Sequence, residues 1–166
     1  CLPAALAIGE SIKTSGKSII IGYALGWEIQ GRLREASAAN SHPALHPPGL
    51  VGPFGGATSS AKVLGLDTQK TLMALGIAAS RTGGLTANTG TMVKSTHPGN
   101  AARMGAESAL LANKGYTSSE QSLESKVGYA EGLFQGNLDW NILLKGLGES
   151  YRLTNPGFDI KRFPAQ

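Results

Sequence analysis

The sequence predicts an all-α domain, on three observations. The periodicity is overwhelmingly helical, with apolar residues recurring at three- and four-residue steps and a strand-like look confined to residues 160–163. Small residues are abundant: 23 glycines and many alanines stand against only 6% aromatics, so the core must be built from close helix contacts. The apolar fraction of 41% with 16% charged residues is that of an ordinary globular protein, and 166 residues suffice for one sizeable core.

Element by element, residues 2–13 read as a helix, with Pro3 near the first position, where a missing N–H costs little, and Gly16 as the stop. Residues 17–38 form a longer helix. Ile21, Leu25, Ile29 and Leu33 share one face, and Glu28 and Arg32 pair at i,i+4 on another. Residues 40–56 carry Pro43, Pro47, Pro48, Pro53 and four glycines, which predicts a loop, with a helix only over 57–64 before Gly65. Asp67 caps a helix through residue 80, with Leu72, Leu75 and Ala79 on its apolar side. Residues 81–99 read as a second glycine- and threonine-rich loop, after which Pro98 and Asn100 open a helix to about residue 113, closed by Gly115. Thr117 and Glu120 have capping-box spacing and predict another short helix, and residues 138–147 read as helical.

Composition also excludes function classes. The net charge of +4 is spread without a Lys/Arg run or interleaved aromatics, so no nucleic-acid partner is expected; a mild positive balance suits small anions. No apolar stretch has the length of a membrane span, and no secretory signal is visible. The single cysteine, Cys1, rules out an internal disulfide framework and a cysteine-based zinc site, and fits a reducing compartment. The chain opens without Met inside an apparent helix and stops inside an apparent strand, so both ends read as cuts through a larger protein.

Several motif-like segments carry no chemistry. Ser15-Gly16-Lys17-Ser18 has Ser11 where a P-loop needs glycine and follows a helix rather than a strand. Gly52, Gly55 and Gly56 lie outside any βαβ unit. His42 and His46 have metal-ligand spacing, but Pro43 breaks the helix this requires and no carboxylate or thiolate completes a set, so no metal is expected. His46, held between Leu45 and Pro47, reads by itself as a surface histidine with a fixed direction. Lys94 is the sharper candidate. It lies just before an expected helix start, where free N–H groups and the helix dipole favour anions, and a lysine facing that space would bind a carboxylate. The alternative is a solvated loop lysine. His97, directly before a proline, reads as ordering the turn.

Three segments together resemble the MmgE/PrpD family: Leu45-His46-Pro47-Pro48-Gly49 with Gly52-Pro53-Phe54-Gly55; Gly90-Thr91-Met92-Val93-Lys94-Ser95-Thr96-His97-Pro98-Gly99-Asn100-Ala101-Ala102-Arg103; and Ile160-Lys161-Arg162-Phe163-Pro164-Ala165. The resemblance implies a helical domain of the MmgE/PrpD type over residues 1–158, truncated before an α+β lid domain, with 159–166 beginning the crossover to that lid. It implies a cofactor-independent, metal-free enzyme, usually a homodimer, acting on small di- or tricarboxylates by proton abstraction next to a carboxylate. A dehydratase resembling 2-methylcitrate dehydratase is the leading expectation; a cis-aconitate decarboxylase, an iminodisuccinate epimerase or a non-catalytic helical fragment are the alternatives. Cytoplasm or mitochondrial matrix would suit the family. Carried over by resemblance, His46 is an acid/base group, and Lys94 and Lys161 bind carboxylate and stabilise enolate-like charge. Gln166 stands at a substrate-binding position where the decarboxylase branch has histidine. The family's upstream Asp-Asp-Thr-His loop and its lid residues have no counterpart here, so the isolated chain is expected to be inactive.

Overall fold

The computed structural model describes residues 1–160. Seven α-helices follow in order: α1 (Leu2–Ser11), α2 (Gly16–Ser37), α3 (Pro47–Leu64), α4 (Thr68–Ala79), α5 (Met92–Asn113), α6 (Tyr129–Phe134) and α7 (Trp140–Leu144), with single 3₁₀ turns at Ala38–Asn40 and Thr86–Asn88. No strand occurs among the described residues; the only pairing of that kind is an isolated antiparallel bridge between Leu45 and Leu85. No helix of the described residues is long and apolar enough to cross a membrane.

Helices α2 and α4 start where a side chain supplies a cap. Ser15 accepts from the Ser18 amide at 3.2 Å, so the glycine–lysine segment read above is the N-cap of α2. Asp67 likewise accepts from the Lys70 amide at 2.7 Å and opens α4.

α3 is the hub, flanked by α1, α2, α4 and α5, and glycines let it approach two neighbours at backbone distance. A Cβ placed on Gly26 of α2 would lie 2.4 Å from the Gly55 carbonyl, and one on Gly105 of α5 would lie 2.5 Å from the Ala57 amide nitrogen. Gly52 faces Ala101 in the same way. The close contacts expected from the composition are therefore concentrated on the two sides of α3. Larger side chains fill its remaining face. Leu33, Leu50, Phe54, Tyr129, Phe134 and Leu138 form the main apolar cluster, each aromatic contributing about 1.5–3 kcal/mol by its burial. The Tyr129 ring meets Phe54 edge-on at 4.8 Å between centroids and donates its hydroxyl to the Leu50 carbonyl at 3.1 Å.

Three expectations are corrected. The proline-rich stretch is not a loop to residue 56: α3 begins at Pro47. Pro47 and Pro48 occupy the first turn, whose amides need no intrahelical partner. Pro53 is tolerated inside the helix because the Gly49 carbonyl, to which it cannot donate, accepts the Gly83 amide instead at 3.0 Å. Next, the helix expected at Thr117–Glu120 is replaced by turns. The Ser118 hydroxyl donates to the Met73 carbonyl at 3.1 Å and Glu120 accepts from the Gln69 side chain at 2.9 Å, so this segment is tied to α4 instead. Finally, α7 stops at Leu144 rather than 147. The guanidinium of Arg32, fully buried, donates to the carbonyls of Leu143, Lys145, Gly146 and Ser150 at 2.8–3.0 Å and turns the chain back. Its ion-pair partner is Glu28, so the pair read as an ordinary i,i+4 contact is a buried anchor for the segment after α7. Removing one member would strand the other charge, at about 3–5 kcal/mol. Ile160 has no regular structure, and the rest of the expected strand and crossover lies outside the described residues.

Gly105→Ala should lower stability to urea although alanine is the better helix former, because its Cβ meets backbone of α3; about 1–3 kcal/mol is expected. Gly99→Ala in the same helix meets nothing within 4 Å and should gain roughly 0.5–1 kcal/mol. Equal effects of the two substitutions would contradict the backbone-contact account.

Candidate functional site

Two segments converge at the N-terminal ends of α3 and α5. Residues 42–46 lead into α3 and residues 81–91 into α5, and backbone hydrogen bonds tie them together: His46 N–H to the Gly84 carbonyl at 3.0 Å, Gly83 N–H to the Gly49 carbonyl at 3.0 Å, and Thr86 N–H to the Ala44 carbonyl at 2.9 Å. The approach is tight enough that a Cβ on Gly49 would fall 1.8 Å from the Gly83 carbonyl oxygen. Gly84, at φ +137°, adopts a conformation open in practice to glycine alone, and it lies against the His97 ring. The base of the second segment is fixed as well. Arg81 pairs with Glu107 of α5, which also holds Arg103 at 2.7 Å, and these two guanidinium groups keep the Glu107 carboxyl below its usual range.

The tethering places His46, the N-cap residue of α3, against His97 on α5. Their Nδ1 atoms are 2.9 Å apart and the rings are tilted by 53° with centroids at 5.0 Å. His97 is buried and His46 half-buried. His97 is therefore no turn residue: it stands inside α5, which begins at Met92, six residues before the Pro98 that the sequence suggested as its start. The same shift moves Lys94 from a loop into the first turn of α5, half-buried, three residues before His97 and on the same helix face. Here the backbone amides and helix dipole still favour an anion, as the loop reading required.

The electrostatics follow from this packing. Loss of solvent first, then the neighbouring His97 and the positive charge of Lys94, hold the His46 imidazole below its usual pKa of 6.5. His46 is thus neutral at physiological pH, with a lone pair on one ring nitrogen, and a cation acts on it. An arrived carboxylate would offset Lys94 and raise the affinity of His46 for a proton. The arrangement can bind an anion and exchange a proton beside it.

Of the expected site residues, His46 and Lys94 are brought into mutual influence, while Lys161 and Gln166 lie outside the described residues. His97 was missed as a member of the group. No local signal singles it out: all three histidines, at 42, 46 and 97, precede a proline. His42 is exposed and spends its Nδ1 on the Ala44 amide at 3.2 Å, within its own turn. Among the described residues no group of three or more His, Cys, Asp or Glu is placed to hold a metal ion.

Comparison with known proteins gives matches along the same chain. Residues 1–141 match the model of the MmgE/PrpD N-terminal domain. The chain is 38% identical over 170 aligned positions to the cis-aconitate decarboxylase of Homo sapiens, covering 99% of this chain and 35% of that protein. It is 35% identical to the cis-aconitate decarboxylase of Mus musculus, over 99% of this chain and 34% of that protein. A third, from Aspergillus terreus, is 34% identical over 76% of the chain and 28% of its own length. The chain thus spans about a third of the length of the curated relatives it matches.

A folded-state pKa below 6.5 means that the unfolded chain binds more protons as the pH falls through 6.5. The stability contributed by neutral His46 should therefore be present above 6.5 and be lost on acidification until the folded-state pKa is passed. In urea titrations across this range, His46→Gln should lose less stability on acidification than the wild type; identical slopes would contradict the assignment.

Proposed function

We propose, from the premise that this chain belongs to the MmgE/PrpD family, that it carries the proton-handling part of a lyase acting on a small di- or tricarboxylate. The observation that supports this most is the neutral His46 held on His97 under the charge of Lys94, at the joined entries of α3 and α5. A carbanion next to a carboxylate is poorly stabilised by water, so a fixed cation beside the reacting carbon supplies much of the rate. In this reading Lys94 binds a substrate carboxylate and stabilises the enolate-like charge, with Lys161 as a second cation and Gln166 as a substrate contact. His46 exchanges the proton at carbon. No metal or organic cofactor enters the scheme.

The activity named for the relatives, decarboxylation of cis-aconitate, gives the first reaction to consider. The bond to one carboxylate breaks, carbon dioxide leaves, the electron pair stays on the carbon skeleton, and protonated His46 delivers a proton there. The second reading is loss of water from a 2-methylcitrate-like substrate. His46 removes the proton next to the carboxylate, and one of the lysines protonates the departing hydroxyl. Gln166, in place of the histidine of the decarboxylase branch, favours this second reading. Association of two copies through the helical domain belongs to the same proposal, supported by the exposed Leu2 and Leu6 on α1 and Ile12 at its C-cap.

The full-length protein carrying this chain should turn over cis-aconitate or 2-methylcitrate, with release of carbon dioxide or water identifying the branch. Lys94→Ala should reduce kcat/KM by about 100-fold or more with the circular dichroism spectrum unchanged. Full activity of a folded Lys94→Ala protein would remove Lys94 from the site, and inertness toward both substrates would remove the reading.

A further inference from the structure

Two neutral imidazoles whose Nδ1 atoms lie 2.9 Å apart cannot both present lone pairs there, so one must carry its proton on Nδ1. Left alone, a neutral histidine side chain favours the proton on Nε2. The contact therefore forces one ring of the pair into the less common tautomer, and which ring it is determines what His46 can do. With the proton on the Nδ1 of His97, His46 keeps an N–H at Nε2 and has no lone pair to offer. With the proton on its own Nδ1, His46 exposes a basic Nε2.

The surroundings of the two rings differ. His97 borders a cavity of about 400 Å³ together with Asn88, Thr96 and Asn100, a polar lining that includes hydrogen-bond acceptors; His46 does not line that cavity. His46 instead feels Lys94, an ammonium group that only donates and that favours a lone pair over an N–H on a neighbouring ring. His97 is also the better fixed of the two: it is buried inside a 22-residue helix and seated on the backbone of Gly84, where no side chain intervenes.

We infer that His97 is a positioning residue that accepts the Nδ1–H of His46 and so holds His46 in the tautomer whose Nε2 is free to take a proton. The catalytic consequence rests on the lyase reading above; the tautomer assignment does not. A base oriented through its second nitrogen by a fixed acceptor is a recurring arrangement, in which the wrong tautomer costs the rate even when the geometry is intact. When His46 takes a proton from substrate carbon, both of its nitrogens carry hydrogen, and the Nδ1–H bond to His97 becomes charge-assisted and stronger.

The test reads the protons directly. With only His42, His46 and His97 to assign, ¹⁵N-histidine labelling of the chain and two-bond ¹H–¹⁵N correlation above neutral pH should show His46 protonated at Nδ1 and bare at Nε2. His97→Leu should return His46 to the Nε2–H form, and His97→Asn, whose side-chain oxygen takes the place of the acceptor, should keep the Nδ1–H form. In the full-length enzyme, His97→Leu should lower kcat about 100-fold with KM changed less than about two-fold, and His97→Asn should recover most of that loss. His46 protonated at Nε2 in the wild type would overturn the assignment, whatever reaction the enzyme catalyses. That spectrum decides the point even if His97→Leu fails to fold. A tautomer that switches in His97→Leu while kcat stays unchanged would overturn the positioning role. Absence of turnover in the wild type with the predicted tautomer present would instead count against the lyase reading alone.

Discussion

The structure depends on the backbone contact between α3 and α5. Gly56 and Gly105 bring two main chains to a separation that any side chain would prevent, and Gly52 meets Ala101 one turn earlier on both helices. His97 precedes Ala101 by one turn, and His46 caps α3 less than two turns before Gly52. The distance between the imidazoles is therefore set by how closely the helices approach, and the helices approach as closely as backbone atoms allow. Dense packing of this kind leaves little room for adjustment, which is what a proton-transfer pair requires.

The second constraint is a proline used for its missing donor. Inside α3, Pro53 leaves the Gly49 carbonyl without an intrahelical bond, and the Gly83 amide fills the place. The residue following Gly83 then receives the His46 amide on its carbonyl and the His97 ring on its α-carbon. A local defect in one helix thereby becomes the fastening point for the segment that leads into the other. At the opposite end of the fold, Arg32 does similar work with charge, donating to four carbonyls of residues 143–150 in an irregular segment.

Much of the fold was legible in the sequence because helices announce themselves locally. The periodicity, Pro3 and Gly16 at the ends of the first helix and the cap at Asp67 placed α1, α2 and α4 to within two residues at their boundaries. Several of the failures share one cause: a long-range partner overrode a local rule. Pro53 read as a helix breaker because the sequence does not disclose that a distant Gly83 amide satisfies the break; Pro98 read as a helix start, and α5 runs through it from Met92. The box at Thr117 and Glu120 read as a helix start because the competing Met73 and Gln69 groups lie more than 40 residues away. Of the site, Lys94 and His46 were legible singly, through chemistry and family resemblance. Their meeting at His97 was not, because a contact across 51 residues leaves no local trace, and all three histidines alike precede a proline.

The central claim is that these three side chains form one site for a carboxylate and the carbon next to it. A crystal structure of the full-length protein with a bound tricarboxylate tests it most directly. The account predicts a ligand carboxylate at about 3 Å from the Lys94 ammonium and the adjacent carbon facing Nε2 of His46, with the His46–His97 contact intact. A tricarboxylate bound elsewhere, with Lys94 and His46 both free of it, would contradict the account.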